Sequence, residues 1–307
     1  MSGQFLLKNV LRIGDKATMP ESATCLVRER ALRTLAELPP LSPILNRLIA
    51  NLAQSDVSFA KIAELIEKDT VLAGNLLKLV NSALYGRRGT IISVRHAVSM
   101  LGVNKLRNAA LSMSVARMWN HVKTPSGWSQ TSFNLHAAGV AILSDLLAQR
   151  LPVEHGEGAF AAGLFHDLGW LLVALGCPEE YERAARLFLP NEPSGPECER
   201  EILGISHAEL SAEALAIWNL PQPIETAVRY HARPEQDAKW AESDRIPLSR
   251  IVNAADYYVQ QRGNHLRTFE QGPQSCAELP DFLGLGAQLP SILNDFDAEF
   301  STIQQFF

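Results

Sequence analysis

Along most of the chain, apolar residues return every three or four positions, the spacing of one helix face. Ile44, Leu45, Leu48, Ile49 and Leu52 form one stripe behind Ser42-Pro43, a cap followed by a first-turn proline. Phe59, Ile62, Ala63 and Ile66 form a second after Ser58, and Leu72, Leu76, Leu79, Val80 and Ala83 a third after Thr70. Ser93 is placed to cap a short helix that stops at Gly102, and Asn104 to cap the next, which carries Leu106, Ala110, Met113 and Trp119. The same periodicity predicts helices around His136, through the apolar run 158–177, after Ser206, from Pro223, around Asp256 and at the end of the chain. Strand-like alternation is scarce, and 90–93 (TIIS) is too short to count. The prediction is an all-α fold. Turn-rich connections fall at 123–130, 151–158 and 189–197; 232–247 is polar, and 263–290 is the least regular stretch.

Composition narrows the class. With 307 residues, 47% hydrophobic and 20% charged, the chain can bury a sizeable core. The formal net charge is -5, and no Lys/Arg-rich block appears, which argues against generic nucleic-acid binding. Four scattered cysteines without CxxC spacing fit a reducing compartment. No signal-peptide pattern opens the chain, so a cytoplasmic location is expected. The run 158–177 is apolar except for His166 and Asp167, a pair too costly at mid-depth in lipid, so a core helix and no membrane association are expected.

That pair raises the question of chemistry. A carboxylate in an apolar helix needs a counter-group or a cation. Five helices carry six metal-competent residues in mostly apolar surroundings: His136, His166, Asp167, His207, His231 and Asp256. Each has an ordinary reading when taken alone. His207 decorates a helix start behind the capping-box pattern Ser206-x-x-Glu209. His231 fits a helix C-terminus, and Asp256 an ion pair. The remaining histidines, His96, His121, His155 and His265, have ordinary contexts.

The order His, His-Asp, His, His, Asp resembles that of the HD-domain metal-dependent phosphohydrolases, with spacings of roughly 25 to 40 residues that suit helix-loop-helix returns. The stretches LAELPPLSPILNRLIANL, LIEKDTVLAGNLLKLVNSALYG and TIISVRHAVSMLGVNKLRNAAL resemble more specifically the HDOD domain, an HD-related output domain of bacterial signalling proteins, over about residues 33 to 233. The resemblance implies three parts: an N-terminal segment (1–28), an HDOD domain (29–233) and a C-terminal helical extension (234–307) completing the site. The HDOD part would comprise a helical lobe over about 30–120 and an HD-like lobe from about 130.

The resemblance further implies that the six residues bind one or two divalent transition-metal ions (Fe, Mn, Zn or Ni), with no organic cofactor. Asp167 is then the natural bridge, with His136, His166 and Asp256 on one ion and His207 with His231 on the other. Two departures matter. Trp170 stands where active HD hydrolases often carry a lysine, and Ala232 stands where the HD-GYP subgroup has a further histidine. Arg229, Arg233 and Arg250 are candidate substitutes for that lysine. Two functions follow from the resemblance: a signalling adaptor that contacts a partner protein, or a phosphohydrolase in which His166 and Asp167 are catalytic, acting on a nucleotide or related phosphoester by two-metal chemistry.

Overall fold

The computed structural model describes residues 21–38, 43–50, 59–81, 90–119, 122–187, 196–238, 244–262 and 283–307. Among them the fold is all-helical, with one isolated parallel bridge between Val153 and Ile246. The first group comprises α2 (Pro43–Ala50), α3 (Phe59–Glu67), α4 (Thr70–Val80), α5 (Val94–Leu101) and α6 (Val103–Trp119). Its core is the set of stripes read from the sequence: Leu45, Leu48, Ile62, Ile66, Leu72, Leu76, Val98 and Leu106 are buried. Leu52 and Ala83, expected on two of the stripes, lie outside the described residues.

Local chemistry sets the helix ends. Ser93 caps α5, accepting from the His96 N–H, and Gly102 closes it at φ 84°. Two helix starts differ from expectation. For α4 the cap is Asp69, whose carboxylate accepts the Val71 and Leu72 N–H groups at 3.1 and 3.0 Å and also pairs with Arg117 of α6. For α6 no linker remains for Asn104 to cap: the Gly102 carbonyl already accepts the Leu106 N–H, so Asn104 falls inside the first turn. Asn81, at the end of α4, uses its amide to bond Leu77 and both backbone groups of Ile91.

The second group is built around α7 (Gln130–Arg150), buried along most of its length from Phe133 to Leu147. Against it pack α8 (Ala159–Phe165), α14 (Leu248–Gln261) and α15 (Leu289–Ile303); α9 (Leu168–Gly176), α12 (His207–Ile217) and α13 (Gln222–Tyr230) complete the layer. α10 (Pro178–Leu187) and α11 (Pro196–Leu203) flank it. The first helix, α1 (Glu21–Glu37), runs through the boundary expected at residue 28 and packs mainly on α9, with lesser contacts to α12 and α11. Val27, Ala31 and Leu35 are its buried face, and Arg28 and Arg30 pair with Glu213 and Glu180 at 2.8 and 3.0 Å.

The run expected as one core helix is two. α8 ends at Phe165 and α9 starts at Leu168, so the break falls on His166-Asp167, with Asp167 at φ -100° and ψ 10°. The Gly169 N–H released by this break donates to Ser211 Oγ at 2.7 Å. Composition alone gives the segment Gly156–Gly176 the character of a membrane span, with a mean hydropathy of 1.5, yet 94% of that window is buried inside the fold. It is core.

Candidate metal centre

Two glycines let the backbones close around the break. A Cβ on Gly163 would lie 2.7 Å from Ala141 Cα of α7, and one on Gly169 would lie 2.2 Å from the His207 carbonyl oxygen of α12. α7 and α12 therefore approach the His-Asp pair at backbone distance, one on each side of it. His136 on α7 and His207 at the start of α12 reach inward along these approaches. His231 follows the last residue of α13, and Asp256 lies on α14.

All six residues singled out from the sequence meet. Asp167 divides its carboxylate: Oδ2 lies 3.3 Å from both His136 Nε2 and His166 Nε2, while Oδ1 lies 3.2 Å from His207 Nε2. Asp256 Oδ1 is 3.1 Å from His136 Nε2 and 3.7 Å from His166 Nε2. The Nε2 atoms of His136 and His166 are 3.2 Å apart, as are those of His207 and His231. Three triads have ligand-type atoms within 4.8 Å of one another: His136/His166/Asp167, His166/His231/Asp256 and Asp167/His207/His231. His136, His166 and His231 are almost wholly buried; the Asp256 and His207 side chains keep 18% and 10% exposure and form the solvent edge.

The outer nitrogens are anchored. His166 Nδ1 and His231 Nδ1 each lie 2.7 Å from a carbonyl oxygen, of Gly163 and Val228. A carbonyl only accepts, so both Nδ1 atoms carry the proton. In the neutral ring Nε2 is then a lone pair aimed at the centre. His207 Nδ1 faces the Glu199 carboxylate, so the Nε2 lone pairs of His207 and His231, 3.2 Å apart, repel unless a proton or a metal cation lies between them, and the donor set fits a cation. With protons alone the centre is strained between burial and charge. Burial opposes protonation of His136, His166 and His207, but Asp167 with Asp256 or Glu199 overrides it, lifting His136 well above 6.5, His166 to about 9 and His207 to about 10. His231, buried and facing His166 and His207, is pushed down to about 4. Burial would raise both carboxylates, but the facing histidines hold Asp167 and Asp256 well below the usual range. Imidazole and carboxylate donors suit transition metals and differ from an all-oxygen calcium cage.

Several neighbours were not singled out in the sequence. Glu199 on α11 accepts the His207 backbone N–H at 2.7 Å, and its two oxygens lie 2.8 and 2.7 Å from His207 Nδ1. Asn253 bonds the His231 carbonyl, and Gln260 bonds Asp256. A faint signal for Glu199 existed: an acidic residue one short helix upstream of a capped His. Trp170 is buried and stacks on the His207 ring at 5.4 Å between centroids. Arg229 and Arg233 pair with Glu225 and Glu235 at 3.0 and 3.7 Å.

Comparison with known proteins agrees with this architecture. A crystal structure of an HDOD domain protein of unknown function from Geobacter sulfurreducens superposes with a TM-score of 0.72 at 24% identity, covering 94% of this chain and 99% of that one. A Marinobacter aquaeolei protein, provisionally named for signal transduction, gives 0.67 at 21% identity over 95% of this chain and 68% of its own. A Shewanella amazonensis protein, provisionally named a metal-dependent phosphohydrolase, gives 0.53 at 17% over 93% and 99%. An uncharacterised Treponema pallidum protein is 26% identical over 202 residues, 64% of this chain, which spans only 37% of that protein's length. The HDOD domain model matches residues 38–234, and on that match the chain belongs to the HDOD family.

Proposed function

We propose that this chain is a bacterial regulatory protein whose second helical group holds two divalent transition-metal ions and signals through contacts with a partner protein. The observation that carries the metal half is the divided carboxylate of Asp167, with one oxygen toward His136 and His166 and the other toward His207. In this reading His136, His166 and Asp256 would hold one ion and His207 and His231 the other, with one oxygen of Asp167 facing each set. Four neutral imidazoles and two carboxylates carry a charge of about -2, which two divalent ions turn to about +2, attractive to a phosphoester ligand. The HDOD domain would extend to residue 233, and α14 would complete the site by bringing Asp256.

Regulation is favoured over hydrolysis by position 170. The buried indole of Trp170 lies against His207, in place of a cationic donor. Of the three candidate substitutes, Arg229 and Arg233 are occupied by Glu225 and Glu235, and Arg250 lies half-buried in the first turn of α14. Loss of one such donor typically costs about 10²–10³ in rate.

The hydrolase reading keeps one observation in its favour, the solvent edge at Asp256 and His207. Bound ions would supply Lewis acidity toward a phosphate oxygen, and His166 and Asp167 would act by holding those ions in place. The experiment is a phosphodiesterase assay with bis(p-nitrophenyl) phosphate and cyclic dinucleotides on manganese-loaded full-length chain. Metal-bound protein without turnover above background is expected. Metal-dependent turnover that His166→Ala abolishes would reverse the assignment to the hydrolase.

A further inference from the structure

The two proposed ion positions are not equivalent, and the difference lies in a residue that touches neither. His166 and His231 direct Nδ1 to backbone carbonyls, whereas His207 directs it to the carboxylate of Glu199. Glu199 is 3% exposed and sits near the middle of α11. The chain leaves α11 through Gly204 at φ 76° and enters α12 behind the Ser206 cap, which folds α11 back over the start of α12. Arg200, the next residue, reinforces that return by gripping the capping-box carboxylate of Glu209 at 3.0 and 3.2 Å. The His207 ring is therefore held between two supports, Glu199 at its outer nitrogen and the Trp170 indole against its face.

We propose that Glu199 is a positioning residue of the centre: by fixing the His207 ring with Nε2 toward Asp167, it sets the metal affinity of the His207/His231 position selectively. The inference rests on the metal reading above. A carboxylate accepting Nδ1–H fixes the tautomer and increases the electron density at Nε2, and loss of such an outer partner typically weakens metal binding about 10–100-fold. The backbone bond from His207 N–H to the same carboxylate fixes the Cα as well as the ring.

The test is a zinc titration of metal-free full-length chain against a chromogenic chelator, for wild type, Glu199→Gln and Glu199→Ala. Wild type should bind two ions. Glu199→Ala should weaken one event about 10–100-fold, the event that His231→Ala also removes and Asp256→Ala spares, with the other within about threefold. Glu199→Gln keeps the size and one acceptor oxygen and should show a smaller loss at the same event. It serves as the folded variant if the alanine form does not fold. Equal weakening of both events, or none in either variant, would overturn the proposal and leave the metal reading intact. A wild type that binds no zinc would overturn the metal reading and this inference with it.

Discussion

Gly169→Ala tests how the centre is assembled. A Cβ there would lie 2.2 Å from the His207 carbonyl oxygen, with the His207 carbonyl carbon and Cα at 2.9 and 3.0 Å. All three atoms are backbone, so no side-chain rotation relieves the overlap. Restoring an ordinary contact requires α9 and α12 to separate by about 1 Å, and overpacking of this kind costs about 1–3 kcal/mol or more. The separation also stretches the 2.7 Å bond from Gly169 N–H to Ser211 Oγ, worth about 1 kcal/mol. A combined loss of about 2–4 kcal/mol, at about 1.5–2 °C per kcal/mol for a chain of 307 residues, lowers the melting temperature by about 3–8 °C. Gly74 in α4 is the internal control: its Cβ would meet nothing within 4 Å, so Gly74→Ala should gain about 0.5–1 kcal/mol. Thermal unfolding of both variants gives the comparison. A Gly169→Ala melting temperature within about 2 °C of wild type would refute the close approach of α9 and α12.

Three further outcomes are expected. Ser211→Ala leaves the Gly169 N–H without its buried acceptor and should cost about 1–3 kcal/mol in urea unfolding; a neutral result would place that N–H elsewhere. Burial pushes the Asp145 carboxyl up to about 6 from 3.8, so the folded chain keeps a proton that the unfolded chain has released. Its stabilising contribution is full below about pH 4 and lost as pH rises through about 6, so Asp145→Asn should gain on wild type by about 2–3 kcal/mol between pH 4 and 8; a pH-independent difference would contradict this. Chelation should lower the melting temperature of metal-loaded wild type, because ions bound only by the folded chain add stability, and should do little to Asp167→Ala.

What the sequence made legible was mostly local. Ser93, Gly102 and the Ser206/Glu209 pair act within one turn of themselves, and each does in the fold what its type and spacing imply. Asp69 escaped because its cap lies one residue before the expected start, where it also serves Arg117 across the lobe. The break at His166-Asp167 escaped because an apolar run has the same composition whether it is one helix or two. Only the contacts of Gly163 and Gly169 with α7 and α12 reveal why the chain bends there. α1 escaped for a related reason: its periodicity shows that it has a buried face, not that α9 covers it. For the centre, the order of six residues was enough to gather them. Glu199 was not, since its relation to His207 depends on a turn through Gly204. Asp256 lies beyond the matched residues 38–234, and the packing of α14 on α7 brings it in.

The central claim is that Asp167 joins two metal ions, and metal content measures it most directly. Wild type and Asp167→Ala, expressed in metal-replete medium and purified without chelator, would be analysed for Fe, Mn, Zn and Ni per chain. The bridge between His136/His166 and His207 predicts two ions in wild type and loss of both in Asp167→Ala. A metal-free wild type, or an Asp167→Ala protein that keeps its full metal content, would contradict it.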